Sequence, residues 1–181
     1  ARVATLHSWN WVEAQRESQA ALALGPQNSF ALYAAADLDS ILGDFDRSEK
    51  RFSASLVSDP LNPEAHFMLA VVLQAQGRAQ AAEAEARRCL TIAPTYAYGH
   101  YALADTLLLQ GHDGEESLDE CKLETAEGGQ LNCLAIVYAR LGRPDDADAA
   151  LNQSIQTRAG SAAFGIARVF AYRGQHERAF E

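Results

Sequence analysis

An all-α architecture, a right-handed α-solenoid of antiparallel helix pairs, is predicted by three observations on this sequence of 181 residues. Gly43, Gly77 and Gly111 stand 34 residues apart, Pro26, Pro60 and Pro94 repeat at the same interval, and the apolar residues between them recur at helical spacing. Each stretch between a glycine and a proline is long enough for one helix, so the unit is helix, Gly turn, helix, Pro turn. Gly142 and Gly174 continue the series at intervals of 31 and 32, which predicts shorter later units. No segment reads convincingly as a strand.

Taken in order, the chain is expected to be a single repeat domain. It opens with a half repeat over 1–28, in which Trp9 and Trp11 precede a helix holding Ala14, Ala21 and Leu22 and closed by Pro26. Repeats over 29–62, 63–96, 97–127 and 128–159 follow, and a partial repeat over 160–181 ends in Ala179, Phe180 and Glu181. In the third unit Leu69, Ala70 and Leu73 share a face of the first helix, and Ala82, Ala86, Cys89 and Leu90 share a face of the second. Leu103, Ala104 and Leu107 repeat the pattern. Small residues at these places let paired helices approach closely and let the next pair stack. Caps mark the same boundaries: Asn62, Pro63 and Glu64 open one helix, and Arg143, Pro144 and Asp145 open another. The unit after Gly111 departs from the pattern. One residue is inserted, Ser117 takes the small position, Cys121 the large one, and the helix is expected to end at Gly128 and Gly129 without a proline, giving a bend or loosened joint. The start at Ala1 and the half-formed last repeat suggest a piece of a longer protein.

Composition narrows the function. Hydrophobic residues make up 48% and charged residues 22%, a globular balance. Fifteen Lys and Arg against 24 Asp and Glu leave a charge of −9, which opposes a sequence-independent grip on nucleic acid. No apolar run approaches the roughly 20 residues of a membrane-spanning helix. Three scattered cysteines fit neither a disulfide framework nor a zinc spacing, which points to a reducing, cytoplasmic setting. Cys89 and Cys121 read as small core residues, and Cys133 as a groove-facing thiol.

The units resemble the tetratricopeptide repeat family. The third carries His66, Leu69, Ala70, Leu73, Ala82, Ala86 and Pro94 at the family's pattern positions, and the second carries Leu32, Ala35, Ala36, Asp39, Ser48, Phe52 and Pro60. The resemblance covers nearly the whole chain and implies a TPR-like superhelix. The Trp-rich opening and the stretch from Phe170 to Phe180 are similar to repeat regions of multidomain bacterial signalling proteins. Those attach such arrays to a nucleotide cyclase or a winged-helix regulator. The family's chaperone-binding members clamp a carboxylate with Lys and Asn in the groove. Here those positions hold Tyr33 and Asp37, Phe67 and Val71, and Tyr101 and Asp105, so that clamp is absent.

In this fold the first helices of successive pairs line the concave side. Tyr33, Phe67 and Tyr101 are 34 apart and form an aromatic ladder, with Phe164 in the same slot and Asn132 interrupting it. Phe30, Tyr98 and Met68 flank the ladder, with Asp37 and Asp105 one turn later. Arg140 and Arg168 reverse the charge toward the far end, which would orient a partner by its own polarity. These residues are the candidate peptide-binding groove, and their alternative role is packing between adjacent first helices.

Candidate chemistry is thinner. His100, His112, Asp113, Glu116 and Cys121 are the ligand types of transition metals, but His100 and His112 lie roughly 18 Å apart along a helix, so no metal or cofactor is expected. No phosphate loop or nucleophile elbow is present. The seven carboxylates between Asp113 and Glu127, offset by Lys122 alone, read as a solvated helix face. The expected function is a protein-interaction scaffold, not an enzyme. A structural array that dimerises through exposed repeat ends is the alternative.

Overall fold

The computed structural model describes residues 10–112, 114–158 and 163–180, with the backbone alone at 158 and 164. Trp9, Asp113 and Glu181 therefore lie outside the described residues, as does the side chain of Phe164. The chain is all-α and divides into two compact units, 1–93 and 94–181.

Unit 1 holds α1 (Trp11–Leu24), α2 (Ser29–Ile41), α3 (Phe45–Ser58), α4 (Pro63–Ala75) and α5 (Ala79–Ile92). Helix starts are set locally. The side chains of Asn10, Asn28, Asp44 and Asn62 each accept the backbone N–H three residues on, at 2.9 to 3.2 Å, and Pro63 fills the first position of α4, where no N–H is needed. The ends of α2 and α4 are set by the 34-residue glycines. Gly43 and Gly77 have φ of 80° and 72°, and the next residue donates back into the preceding helix, Asp44 to Asp39 O and Arg78 to Leu73 O, each at 2.9 Å. A side chain at such φ costs energy that glycine does not pay, which is why the period is carried by this residue type. Helices α2 and α3 pack as a pair, as do α4 and α5. Ala35, Ala36, Ser48, Ala70 and Ala82 are fully buried, and Ser48 donates to Ala36 O at 2.8 Å across the first pair. Tyr33, Phe52, Leu69, Val72 and Leu73 fill the remaining volume.

Unit 2 holds α6 (Gly99–Leu109), α7 (Gly114–Leu123), α8 (Glu127–Arg140), α9 (Pro144–Arg158), α10 (Ala163–Tyr172) and the short α11 (His176–Ala179). Gly111, Gly142 and Gly174 close α6, α8 and α10 with the same positive φ. The irregular unit is shorter, as expected: α7 has 10 residues where α3 and α5 have 14. Its end differs from the expectation. Helix α7 stops at Leu123, and Gly128 and Gly129 lie inside the first turn of α8. The role of Gly129 is spatial, because a Cβ there would stand 2.9 Å from the Tyr98 ring. The core gathers Tyr101, Ala104, Leu108, Leu118, Ile136, Val137, Leu151, Val169 and Phe170.

The cysteine reading fails in this unit. Cys121 and Cys133 form a disulfide joining α7 to α8, with a Cα separation of 5.5 Å. Cys133 is buried, not a groove-facing thiol, and the argument for a reducing compartment loses its premise. Cys89 is the free buried cysteine, and burial pushes its thiol up to about 11. Among the described residues no helix is long and apolar enough to cross a membrane.

Candidate binding surface

The candidate groove residues sit on the first helices of the pairs, and their surroundings differ between the units. In unit 1, Phe30, Ala34, Asp37 and Ile41 share one face of α2 by their spacing of four, three and four residues. Phe30 is 69% exposed and Ile41 is exposed, with Ala34 and Asp37 half-buried. Phe30 borders a cleft of about 390 Å³ lined also by Ala21, Leu24, Ala31 and Ala34. On α4, Phe67 and Met68 are half-buried and Val71 is exposed. Tyr33 faces inward, with its ring edge-on to Phe52 at 5.4 Å between centroids.

In unit 2, Tyr98 is 44% exposed, whereas Tyr101 is only 7% exposed and lies beneath the Arg168 guanidinium, 5.1 Å from its ring centroid. Asp105 is buried and accepts from Arg168 Nη2 at 2.8 Å and from the Tyr172 hydroxyl at 2.6 Å. The expected charge reversal therefore does not hold for this pair, because Asp105 and Arg168 neutralise each other directly. Burial pushes the Tyr101 hydroxyl up to about 12, against the pull of Arg168 and with the help of Asp105. Burial also raises Tyr172, reinforced by the Asp105 charge and hydrogen bond. For Arg168, burial opposes the charge and the groups around it, Tyr101 and Asp105 foremost, outweigh it, so its pKa rises. Asn132 is buried and accepts from Ser154 at 2.9 Å, and Arg140 is exposed at the end of α8.

Residues 33–97 match the family model of the tetratricopeptide repeat. Among solved structures the chain is similar to a thermophilic TPR protein of Thermus thermophilus, at 18% identity over 98% of this chain and 94% of that one, with a TM-score of 0.75. The fold is that of the tetratricopeptide repeat. Two further TPR-like neighbours are MamA, at 21% identity over 84% of this chain and 86% of that one with a TM-score of 0.60, and YrrB, described as a TPR protein with an unusual peptide-binding site, at 15% identity over 90% and 86% with a TM-score of 0.62. No curated protein matches the sequence.

Several polar devices inside this tetratricopeptide fold escape a reading of the sequence. His66 places Nδ1 2.6 Å from Glu85 Oε2, and its Nε2 donates to Pro60 O at 3.1 Å. His100 does the same with Glu120 at 2.6 Å and Pro94 O at 3.0 Å. Each imidazole thus ties the Pro turn to the second helix of its pair. The signal is present in the sequence: the histidines and prolines are 34 apart, and the two glutamates 35 apart because of the inserted residue. This pairing also separates the residues of metal-ligand type, since His112 lies beside Glu116 at 3.4 Å and Cys121 is in the disulfide. Asp39, assigned to a packing position, accepts from Arg47 at 2.9 Å and from Arg51 at 2.5 Å.

The acidic run is not wholly solvated. Glu124 is buried and its carboxylate accepts three backbone N–H groups, from Tyr98 at 2.9 Å, Tyr101 at 3.0 Å and Ala126 at 2.8 Å. Position 96, equivalent to the capping Asn28 and Asn62, is Tyr96, and the cap of α6 comes instead from a residue 26 positions beyond Tyr98. A carboxylate at the positive end of a helix, with its lone pairs on N–H donors, is stabilised despite its burial.

Proposed function

We propose that this chain is a protein-interaction scaffold that holds an extended or helical segment of a partner against the first helices of its pairs, and that it works by binding and not by catalysis. The observation that carries this reading is the set of exposed apolar side chains on the first helices of unit 1, Phe30 beside the α1–α2 cleft, Ile41 on the same helix and Val71 on α4. A large aromatic side chain held on a folded helix contributes contact area at little ordering cost, so a short segment with aliphatic or aromatic anchors fits this face. Phe67, Met68 and Asp37 complete the face in unit 1. Tyr98 and Arg140 are the accessible candidates in unit 2, while Tyr33, Tyr101, Asp105, Asn132 and Arg168 support the face from within. The peptide-binding description of YrrB supports the class of function. The resemblance to signalling-protein repeat regions supports a place as the regulatory module of a larger bacterial protein.

Selection of a random peptide library on the full chain tests the reading. Enriched peptides should share apolar anchors, and Phe30→Ala should weaken a selected peptide roughly 30-fold, the effect of losing about 2 kcal/mol at one anchor. Selected peptides that bind Phe30→Ala and Val71→Asp as tightly as the parent chain would overturn it.

A further inference from the structure

The disulfide and the buried cap belong to one piece of chain. Cys121 and Cys133 close a loop over 121–133, and this loop carries three of the groups that grip the opening of unit 2, beside the tie that His100 makes to Pro94 O. Glu124 accepts the N–H groups of Tyr98 and Tyr101, the Thr125 hydroxyl donates to Thr95 O at 3.2 Å, and Gly129 leaves the space that the Tyr98 ring occupies. Tyr98 itself holds φ at 65°, the one non-glycine residue with positive φ among the described residues. A tyrosine adopts that backbone only where its surroundings enforce it. The neighbouring tetratricopeptide units need no such clamp, because Asn28 and Asn62 cap their own helices.

We propose that the Cys121–Cys133 disulfide is a redox-sensitive latch: oxidised, it holds the 121–133 loop so that Glu124 caps α6 and fixes Tyr98, and reduced, it releases that cap. The chemistry is thiol–disulfide exchange with a dithiol reductant. One reductant thiolate attacks a sulfur of the pair, the bond between the two cysteines breaks, and the second reductant thiol resolves the mixed disulfide. Cys121 and Cys133 gain two electrons and two protons as thiols, and the dithiol leaves as its own disulfide. Both cysteines are fully buried, so exchange proceeds through local opening of the α7–α8 joint and is slow under native conditions. A consequence for partner binding through Tyr98 rests on the scaffold reading above; the latch itself does not.

Amide hydrogen exchange on the full chain tests it, before and after dithiothreitol, with reduction verified by a mass increase of about 2 Da as two sulfurs gain hydrogen. Protection of the Tyr98 and Tyr101 amides should fall at least roughly tenfold on reduction while amides of α4 in unit 1 keep theirs. Glu124→Gln in the oxidised chain should expose the same amides, since the neutral amide is a weaker acceptor for three N–H groups. Unchanged protection of Tyr98 and Tyr101 in fully reduced chain would overturn the proposal. So would equal loss in unit 1, full protection in Glu124→Gln, or two freely alkylated thiols at Cys121 and Cys133 in protein prepared without reductant.

Discussion

Units 1 and 2 share turns and differ in what secures them. In unit 1 the starts of α2, α3 and α4 are capped by Asn28, Asp44 and Asn62, each three positions from the N–H it serves, and the interior relies on alanine and serine between paired helices. Unit 2 keeps the positive-φ glycines but reaches farther for the rest: Glu124 caps a helix 23 to 26 residues back, Arg168 pairs with Asp105 across 63 residues, and a disulfide joins consecutive helices. The lesson is that a 34-residue period prescribes where helices stop and repeats one polar tie, that of His66 and His100, while the caps and ion pairs differ between the units. The surroundings of the candidate groove residues follow the same division. Unit 1 leaves Phe30, Ile41 and Val71 exposed on its first helices, whereas unit 2 crosses its own first helices with an ion pair and a tyrosine hydroxyl.

Alkali should sharpen this contrast most. The folded-state pKa of Tyr101, about 12, lies above its ordinary value of 10, so the stability it contributes is complete below pH 10 and is lost as the pH rises through about 12. The loss should approach roughly 2 to 3 kcal/mol, and it should appear in unit 2. Tyr101→Phe should abolish that part of the alkaline transition. Because the Tyr101 hydroxyl has no hydrogen-bond partner among the described residues, the substitution should cost little at neutral pH. Denaturant unfolding followed between pH 8 and 12 checks both points; an identical alkaline loss in Tyr101→Phe would show that another group carries it.

A smaller effect probes the caps. Asn62→Ala should destabilise unit 1 by about 1 kcal/mol, the usual worth of one side-chain cap, and should fray α4 locally. Amide exchange at Ala65, whose N–H the Asn62 side chain accepts at 3.0 Å, reports it directly. No change there would mean that Pro63 and the packing of α4 set the helix start unaided.

What can be read from the sequence tracks how local the cause is. Gly43, Gly77, Gly111, Gly142 and Gly174 announce turns because positive φ selects glycine by its backbone alone, and Asn62 followed by Pro63 announces a helix start within three residues. Glu124 reads as one more solvated carboxylate, since nothing in its neighbourhood says that Tyr98 and Tyr101 will present N–H groups to it. Asp105 and Arg168 both fall on the groove face by spacing, but two residues on one face need not meet. The cysteines mislead for a related reason: the number and spacing of Cys121 and Cys133 say nothing of a pairing that arises only when α7 and α8 pack. Of the candidate groove, the exposure of Phe30 and the burial of Tyr33 and Tyr101 are equally illegible, because positions equivalent by period face different neighbours.

The most direct test of the scaffold account is to locate the contact. A library-selected peptide bearing a photoreactive residue, crosslinked to the full chain and mapped by mass spectrometry, should mark the first helices of unit 1, at Phe30, Phe67 or Val71. Crosslinks confined to α3 and α5, with α2 and α4 unmarked, would contradict it.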